Sequence, residues 1–502
     1  MTTVNVQQGE LTVDALTIVN PEKESIDITA LTSNITIFEA IDKPFLSGRL
    51  TLVDGIDILK NYKIVGQESL TIKLRQAEGK GEYSTPEFSI DKVFRIYSVT
   101  DVIRTNQNTQ TYVIHFVDPK FFTCEKTIIS QTLRGTYSGM LIKVLQEYAG
   151  FNKLPKTAYD KWDESEPEYN QFIIPNWNIN RFISYVCANA ELKGNKTFKN
   201  SMFFYQTLNG EFRFDSFQSM TAREFPLRFS YMPRNSKVTS ELDVNAQNEG
   251  LNTQILNVEI PQRFNTIKGL TGGAYSSKLL TYDPVRKIEE ENVYSISEVF
   301  ERGGNEGHVS KHPMIRTSDM ETTYRAEEVI SSQESPDFNE EFVDLAPDAS
   351  YDTVRMYKVN MTNSFSDEAK LVDASEGKSI TQQKGQEYRD TGHLERAALL
   401  SLFEQSQIKV TLPFRSDMTV GTVINLDIPS PEKKTDDTPG DEMMDSKYLI
   451  GKLVYRISPL DGMGSLTIQA IKESYGVDIK EYQPRAANPV GPEKTEWNIV
   501  MV

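Results

Sequence analysis

Asn34-Ile35-Thr36-Ile37-Phe38, Gly48-Arg49-Leu50-Thr51-Leu52-Val53, Ser69-Leu70-Thr71-Ile72-Lys73-Leu74, Phe94-Arg95-Ile96-Tyr97-Ser98-Val99 and Gln110-Thr111-Tyr112-Val113-Ile114-His115-Phe116-Val117 decide the fold class. In the third run Leu70, Ile72 and Leu74 fall on one face, and Ser69, Thr71 and Lys73 on the other. A period of two marks half-buried antiparallel strands, because successive side chains leave a strand on opposite sides. Five such runs in one stretch are enough to close a small barrel, which hides the sheet edges.

The same style returns near the end of the chain. Ile408, Val410 and Leu412 alternate, as do Ile424, Leu426 and Ile428. Tyr448 to Ile457 is strand-like, and Leu466, Ile468 and Ala470 follow the turn Asp461-Gly462-Met463-Gly464. These runs predict a second barrel, alike in pattern, with no close repeat of sequence.

Between the two, the period changes. Ser138 is placed to cap a helix bearing Leu141, Val144, Leu145 and Tyr148, with Gly150 as its stop. Ile179, Phe182, Ile183 and Val186 mark another helix, entered from Pro175-Asn176-Trp177-Asn178. Met202 to Gln206 and Glu211 to Phe214 flank Asn209-Gly210, a β-hairpin signal because that dipeptide tolerates positive φ. Ile255 to Ile260 alternates again and is expected to stop at Pro261. A helix is expected from Tyr388 to Glu404, with Leu394, Ala398 and Leu402 on one stripe. Ser331 to Ser350 reads as a mobile acidic loop, and Pro429 to Ser446 as a disordered one.

The expected fold class is therefore mainly β with α+β insertions: two small antiparallel, tube-like β-barrels plus inserted α+β domains. The division is 1–122 for the first barrel and 123–235 for an α+β insertion. The second barrel takes 236–265 and 400–475, around a mixed polar insertion at 266–399. An extended C-terminal arm, 476–502, completes the chain.

With 502 residues, 38% of them hydrophobic, the chain can bury several cores. Its net charge of −17 argues against a surface that grips nucleic acid, since phosphate binding needs clustered Lys and Arg. The two cysteines, Cys124 and Cys187, exclude a disulfide framework and a four-cysteine zinc site. They suit a reducing cytoplasm. The opening Met1-Thr2-Thr3-Val4-Asn5-Val6 carries no basic-then-apolar signal, and no apolar run reaches the ~18–20 residues that span a bilayer. A soluble chain without membrane insertion is expected.

No catalytic constellation is expected. His308 and His312 lie four apart, but glycines precede them, Pro313 follows and the HExxH glutamate is missing, so an exposed loop is the expectation. Gly135-Thr136-Tyr137-Ser138-Gly139 has the wrong order for a nucleophile elbow. Gly269 to Gly273 lacks phosphate-loop and dinucleotide spacing and reads as a hinge or turn. Cys124 and Cys187 read as small buried hydrophobes. No enzyme activity, cofactor or metal is expected.

The segment Ala40-Ile41-Asp42-Lys43-Pro44-Phe45-Leu46-Ser47-Gly48-Arg49-Leu50-Thr51-Leu52-Val53-Asp54-Gly55, followed by Leu59 and Gly66-Gln67-Glu68, resembles the opening barrel of the baseplate central hub proteins of contractile-tailed, T4-type bacteriophages. Asp417-Met418-Thr419-Val420-Gly421-Thr422-Val423-Ile424, Tyr448-Leu449-Ile450-Gly451-Lys452-Leu453 and Ser465-Leu466-Thr467-Ile468 resemble strands of their second barrel. The hub region of type VI secretion spike proteins is related. The resemblance covers about residues 10–265 and 390–475. It implies a homotrimer with two barrels per chain, seated between the six-fold tail tube and the three-fold central spike in the virion baseplate. It also implies assembly in the host cytoplasm and a bore through which DNA passes without specific binding. The implied partners are the spike, the tail tube or tube-initiator protein, the tape-measure protein and baseplate wedge proteins. Acids on the barrels, such as Glu39 and Asp427, are expected to make that bore negative.

Two alternatives stand beside this reading. A type VI spike would be expected to continue into a β-helical region with short repeats, which the sequence lacks. A non-enzymatic glycan-binding β-protein would want more surface aromatics than the three tryptophans supply. Finally, Trp497, Ile499, Val500, Met501 and Val502 are too apolar for a free tail and follow a proline-rich segment that cannot form a helix. They are expected either to fold back on their own subunit or to form a partner-docking arm.

Overall fold

The computed structural model describes residues 9–76, 87–151, 159–166, 170–231, 253–283, 288–304, 306–314, 354–359, 370–372, 379–381, 384–428, 444 and 446–477. The protein is mainly β. In chain order the first strands are β1 (Thr12–Val19), β2 (Ser25–Asp27), β3 (Thr32–Ala40), β4 (Ser47–Asp54), the single turn α1 (Ile58–Asn61), β5 (Ser69–Gln76), β6 (Phe88–Asn106) and β7 (Thr109–Val117). The insertion follows with α2 (Pro119–Lys126), β8 (Ile128–Gly135), α3 (Tyr137–Tyr148), β9 (Ser165–Glu166), β10 (Asn170–Asn178), α4 (Ile179–Asn189), β11 (Glu191–Leu192), β12 (Met202–Gln206), β13 (Phe212–Ser216), α5 (Phe217–Thr221) and β14 (Glu224–Ser230). Then come β15 (Asn257–Gln262), α6 (Thr266–Gly272), β16 (Ser276–Asp283), β17 (Ile288–Ser295), α7 (Ile296–Gly303), β18 (His312–Pro313), β19 (Val354–Val359), β20 (Lys370–Val372) and β21 (Ser379–Thr381). Last are α8 (Lys384–Gln405), β22 (Ser406–Pro413), β23 (Val423–Asp427), β24 (Ser446–Ser458), β25 (Met463–Lys472) and β26 (Ser474–Tyr475).

Thirteen of these strands form one sheet, in the order β15-β22-β25-β24-β3-β4-β7-β6-β5-β1-β2, with β23 beside β24 and β14 beside β23. The two groups of strands expected from the sequence are thus hydrogen-bonded to each other. The seam is antiparallel, β24 against β3, from Lys452 opposite Ala40 to Ile457 opposite Ile35. Leu50, Leu52, Leu70, Ile72, Ile114 and Phe116 of the first group share a core with Ile408, Val410, Ile424, Leu453, Tyr455 and Ile468 of the second. Leu394, Ala398, Leu399, Leu402 and Phe403 of α8 join that core, as the helical stripe predicts.

The insertion has a second core, built on Leu141, Val144 and Leu145 of α3, Phe182, Ile183 and Val186 of α4, and Trp162. Its hairpin β12–β13 is buried on both faces. Met202 and Phe204 enter the insertion core, whereas Phe203 and Tyr205 enter the sheet core. A strand covered on both sides reads as an unbroken apolar run, which is what Met202-Phe203-Phe204-Tyr205 is. Cys124 and Cys187 are buried free thiols, and burial pushes them up to about 12 and about 11.

Several sequence expectations need correction. The cap of α3 is Thr136, whose side chain accepts from Gly139 N, because Thr136 is the extended residue before the helix. Ser138 is already helical and exchanges hydrogen bonds with Ser165. Gly269 to Gly272 belong to α6, not to a hinge; only Gly273 is left-handed, as the helix's C-terminal cap. Those glycines permit close packing, since a Cβ at Gly269 would meet the Tyr275 ring and one at Gly272 would meet Ser401. Pro261 does not stop β15, which runs through it. An edge strand tolerates proline because one side of its backbone has no ladder to serve. The acidic stretch 331–350 lies outside the described residues, as does nearly all of 429–446.

Candidate functional site

The seam between the two strand groups is where the chain gathers its buried charge. Glu39, next to last in β3, is almost wholly buried. One carboxylate oxygen, Oε2, accepts from Leu208 N at 3.0 Å and Tyr455 Oη at 3.1 Å. The other, Oε1, accepts from Val420 N at 3.0 Å. Three parts of the sequence meet on this one carboxyl: the first strand group, the hairpin tip between β12 and β13, and the loop before β23. Burial pushes its pKa up to about 7, against the pull of those hydrogen bonds.

The hairpin tip is fixed independently. Leu46 N donates to Gln206 Oε1, and Gln206 Nε2 donates to Asp118 Oδ2. Asp118 also caps α2, with Pro119 in the first turn, so the pair that ends the strand run starts the helix. Lys92 of β6 lies beneath the tip, its Nζ buried and without a hydrogen-bond partner among the described residues. Burial pulls its pKa down to about 8, while Asp118 and Glu39 hold it up. Gly210, at φ 88°, is needed here twice. It makes the turn, and a Cβ there would lie 3.0 Å from Lys92 Nζ. This arrangement interlocks three segments.

A second buried constellation involves one of the histidines expected in an exposed loop. His308 is buried, its ring stacked on Phe300 with centroids 3.9 Å apart. Its Nδ1 is 3.5 Å from Glu473 Oε1, which accepts from Val309 N at 2.8 Å and from Ser474 Oγ at 2.9 Å. His312 instead pairs in a short ladder with Tyr475. The two imidazoles therefore share no helical face, and no group of three metal-ligating side chains occurs among the described residues. His308 lines a cleft of about 840 Å³ together with Gln218, Arg228, Lys311, Asn425 and Lys447. A third lock ties α7 to α8: Arg302 donates to both oxygens of Glu395 and to Thr197 O. Burial pushes the Glu395 carboxyl up.

Ser138 shares hydrogen bonds with the Ser165 and Thr136 hydroxyls, neither of which can act as a general base. Glu39, offered by the sequence as a bore-lining acid, is corrected to a buried interlock; Asp427 is half-buried and pairs with Arg228 at 4.0 Å. The expected arm residues Trp497, Ile499, Val500, Met501 and Val502 lie outside the described residues. No described helix is long and apolar enough to cross a membrane. Sequence reasoning passed over Lys92 and set Glu39 at a bore because an acid or base in an alternating strand reads as a solvated face. It also ended the fourth strand run at Val99, whereas β6 continues to Asn106.

No protein-family model matches the sequence, and no curated protein matches it. Solved structures similar to it in fold include phage tail proteins and type VI secretion components. A tail protein from Neisseria meningitidis MC58 is 9% identical, with a TM-score of 0.44 over 94% of this chain and 99% of that one. The 43 kDa tail protein of prophage MuSo2 from Shewanella oneidensis is 8% identical, with a TM-score of 0.46 over 91% and 98%. An E. coli component of the type VI secretion system, itself described as similar to T4 bacteriophage tail proteins, is 9% identical, with a TM-score of 0.38 over 95% and 79%.

Proposed function

We propose that the protein is a structural hub of a contractile-tail baseplate, a homotrimer that joins a six-fold tail tube to a three-fold spike. One observation carries the reading: the chain contains the same strand topology twice. In the first array, chain order β3-β4-β5-β6-β7 becomes spatial order β3-β4-β7-β6-β5. In the second, β15-β22-β23-β24-β25 becomes β15-β22-β25-β24-β23. The correspondence reaches single residues. Arg95 and Ile96 pair with Val117 and Phe116 before a bulge in β6, and Leu449 and Ile450 pair with Ile471 and Ala470 before a bulge in β24.

A chain with two equivalent arrays can present near-equal surfaces at twice its own rotational order. Three copies then offer six lobes to a tube and three chains to a spike. Spike and tube proteins are the proposed direct partners, with tape-measure and wedge proteins beside them, in the virion tail after assembly in the host cytoplasm. DNA passes through the bore unbound, and the role is non-enzymatic. The segment 476–502 is the proposed docking arm, through Trp497 and Ile499 to Val502. Deleting 494–502 is expected to leave the monomer's melting temperature unchanged while weakening trimerisation or spike capture.

The test is the mass and symmetry of the purified chain, alone and with a spike. Light scattering should give three times the 57.0 kDa of one chain, and class averages should show a three-fold ring of six similar lobes. A stable dimer sinks the proposal.

A further inference from the structure

The two arrays differ in what covers one strand. Residues 446–449 of β24 pair with β23 on one side, and residues 452–457 pair on that same side with β3. The strand thus overhangs its own array and reaches into the other. Its counterpart β6 is built the same way, pairing with β5 through residues 88–95. Beyond that point, residues 98–106 pair only with β7 among the described residues. The counterpart of β3 is β15, which among the described residues pairs only with β22. Each free edge is the half of a junction whose other half exists, in occupied form, elsewhere in the chain.

We propose that the β6 overhang of one copy adds antiparallel to the β15 edge of the next, repeating between chains the seam that β24 and β3 make within one. The inference rests on the hub reading and specifies its interface. The register follows from the repeat. Ile103 faces Thr111 as Arg456 faces Ser465, and Glu259 faces Lys409 as Thr36 faces Arg49. Since Arg456 lies opposite Thr36, Ile103 is to lie opposite Glu259. The same steps set Thr100 opposite Gln262, from Val454 opposite Phe38. Asp101, left-handed at φ 53°, then falls opposite Pro261, so the irregular points of the two strands coincide.

The surfaces suit this occupant. Val102 and Ile103 are 51% and 62% exposed on the overhang, and Leu256, Ile260, Phe264 and Ile267 are exposed on and beside β15. Long apolar edges are templates for strand addition, and folded chains leave them open only where a partner belongs. The opposite end of the sheet is β2, a three-residue strand among Glu22, Lys23, Glu24 and Asp27, the usual form of an edge that must stay unpaired.

Paired cysteines test the register in the full chain. Opposed residues in an antiparallel pair lie ~4.5–5.5 Å apart at Cα, within disulfide range. The control moves one cysteine to Gln262, two ladder steps or about 7 Å along β15. Both native cysteines are buried, so background is low. Under mild oxidation, Ile103→Cys with Glu259→Cys should give inter-chain disulfides up to the trimer. Ile103→Cys with Gln262→Cys should give at least about tenfold less. A trimer by light scattering in which neither pair cross-links, or both do equally, overturns this junction and leaves the hub standing. A chain that stays monomeric, alone and with a spike, overturns both.

Discussion

The first and second strand arrays are one topology in two settings. Leu453, Tyr455 and Ile457 of the β24 overhang are fully buried, because β3 lies beside them. Val102 and Ile103 of the β6 overhang are exposed, with no described strand beside them. Ile103 matches Arg456, which is exposed even beside β3, so the face of the strand as well as its neighbour sets whether a side chain is core. Volumes are exchanged between the arrays as well. The pair Gly48 and Phe116 in the first corresponds to Ile408 and Ala470 in the second. The bulk sits on opposite members of the pair, and both sites are packed.

The sharpest way to break the comparison is to charge both overhangs. Ile457→Asp puts a carboxylate into a site that is 1% exposed. It is expected to leave no cooperative unfolding transition, since an unpaired buried charge costs more than most domains can spare. Ile103→Asp, at 62% exposure, should leave the monomer's urea midpoint unchanged and reduce assembly. Equal effects on folding would contradict the assignment of Ile103 to a free edge.

Exchanging volumes comes next. A Cβ at Gly48 would lie 2.3 Å from the Phe116 ring and 2.6 Å from Thr36 O. Gly48→Ile should therefore cost about 3 kcal/mol in denaturant unfolding. Adding Phe116→Ala, which copies the second array's pair, should recover a large part of it. A double variant no better than the single would show that the arrays match in topology without matching in packing.

Glu39 gives a smaller and pH-dependent difference. At the corresponding place beyond β15 the second array has Arg263, which is exposed. Burial raises Glu39 from 4.5 to about 7 in the folded state. Between those values the unfolded chain releases a proton that the folded chain keeps. Stability from this group is thus present at low pH and is lost as pH rises through the window, by about 3 kcal/mol at most. Glu39→Gln removes that slope. It leaves one acceptor oxygen for three donors, so the variant should be less stable at pH 5, with the gap narrowing by pH 8. Parallel stability curves for the two proteins would count against a buried, titrating Glu39.

The smallest expected effects are on the flanks. Arg75 pairs with Asp14 at 3.0 Å beside the first array, and Lys447 with Glu224 at 2.7 Å beside the second, both partly exposed. Arg75→Ala and Lys447→Ala should each cost under ~1 kcal/mol by urea midpoint, because water already solvates such pairs.

The sequence by itself determined the strands and their faces. Alternation at Leu70, Ile72 and Leu74, or at Ile408, Val410 and Leu412, is a local signal that survives without any knowledge of the partner strand. The hairpin at Asn209-Gly210 and the stripe on α8 were legible for the same reason, since turn chemistry and helical period are local. Only the tertiary structure decided which strands neighbour which. The pairing of β24 with β3, the burial of Glu39 against Leu208, Tyr455 and Val420, and the equivalence of β6 to β24 join residues far apart in the chain. A carboxylate in an alternating strand is written identically whether its face meets water or three donors from other segments. That difference is made by what folds over it, and so it is absent from the local pattern.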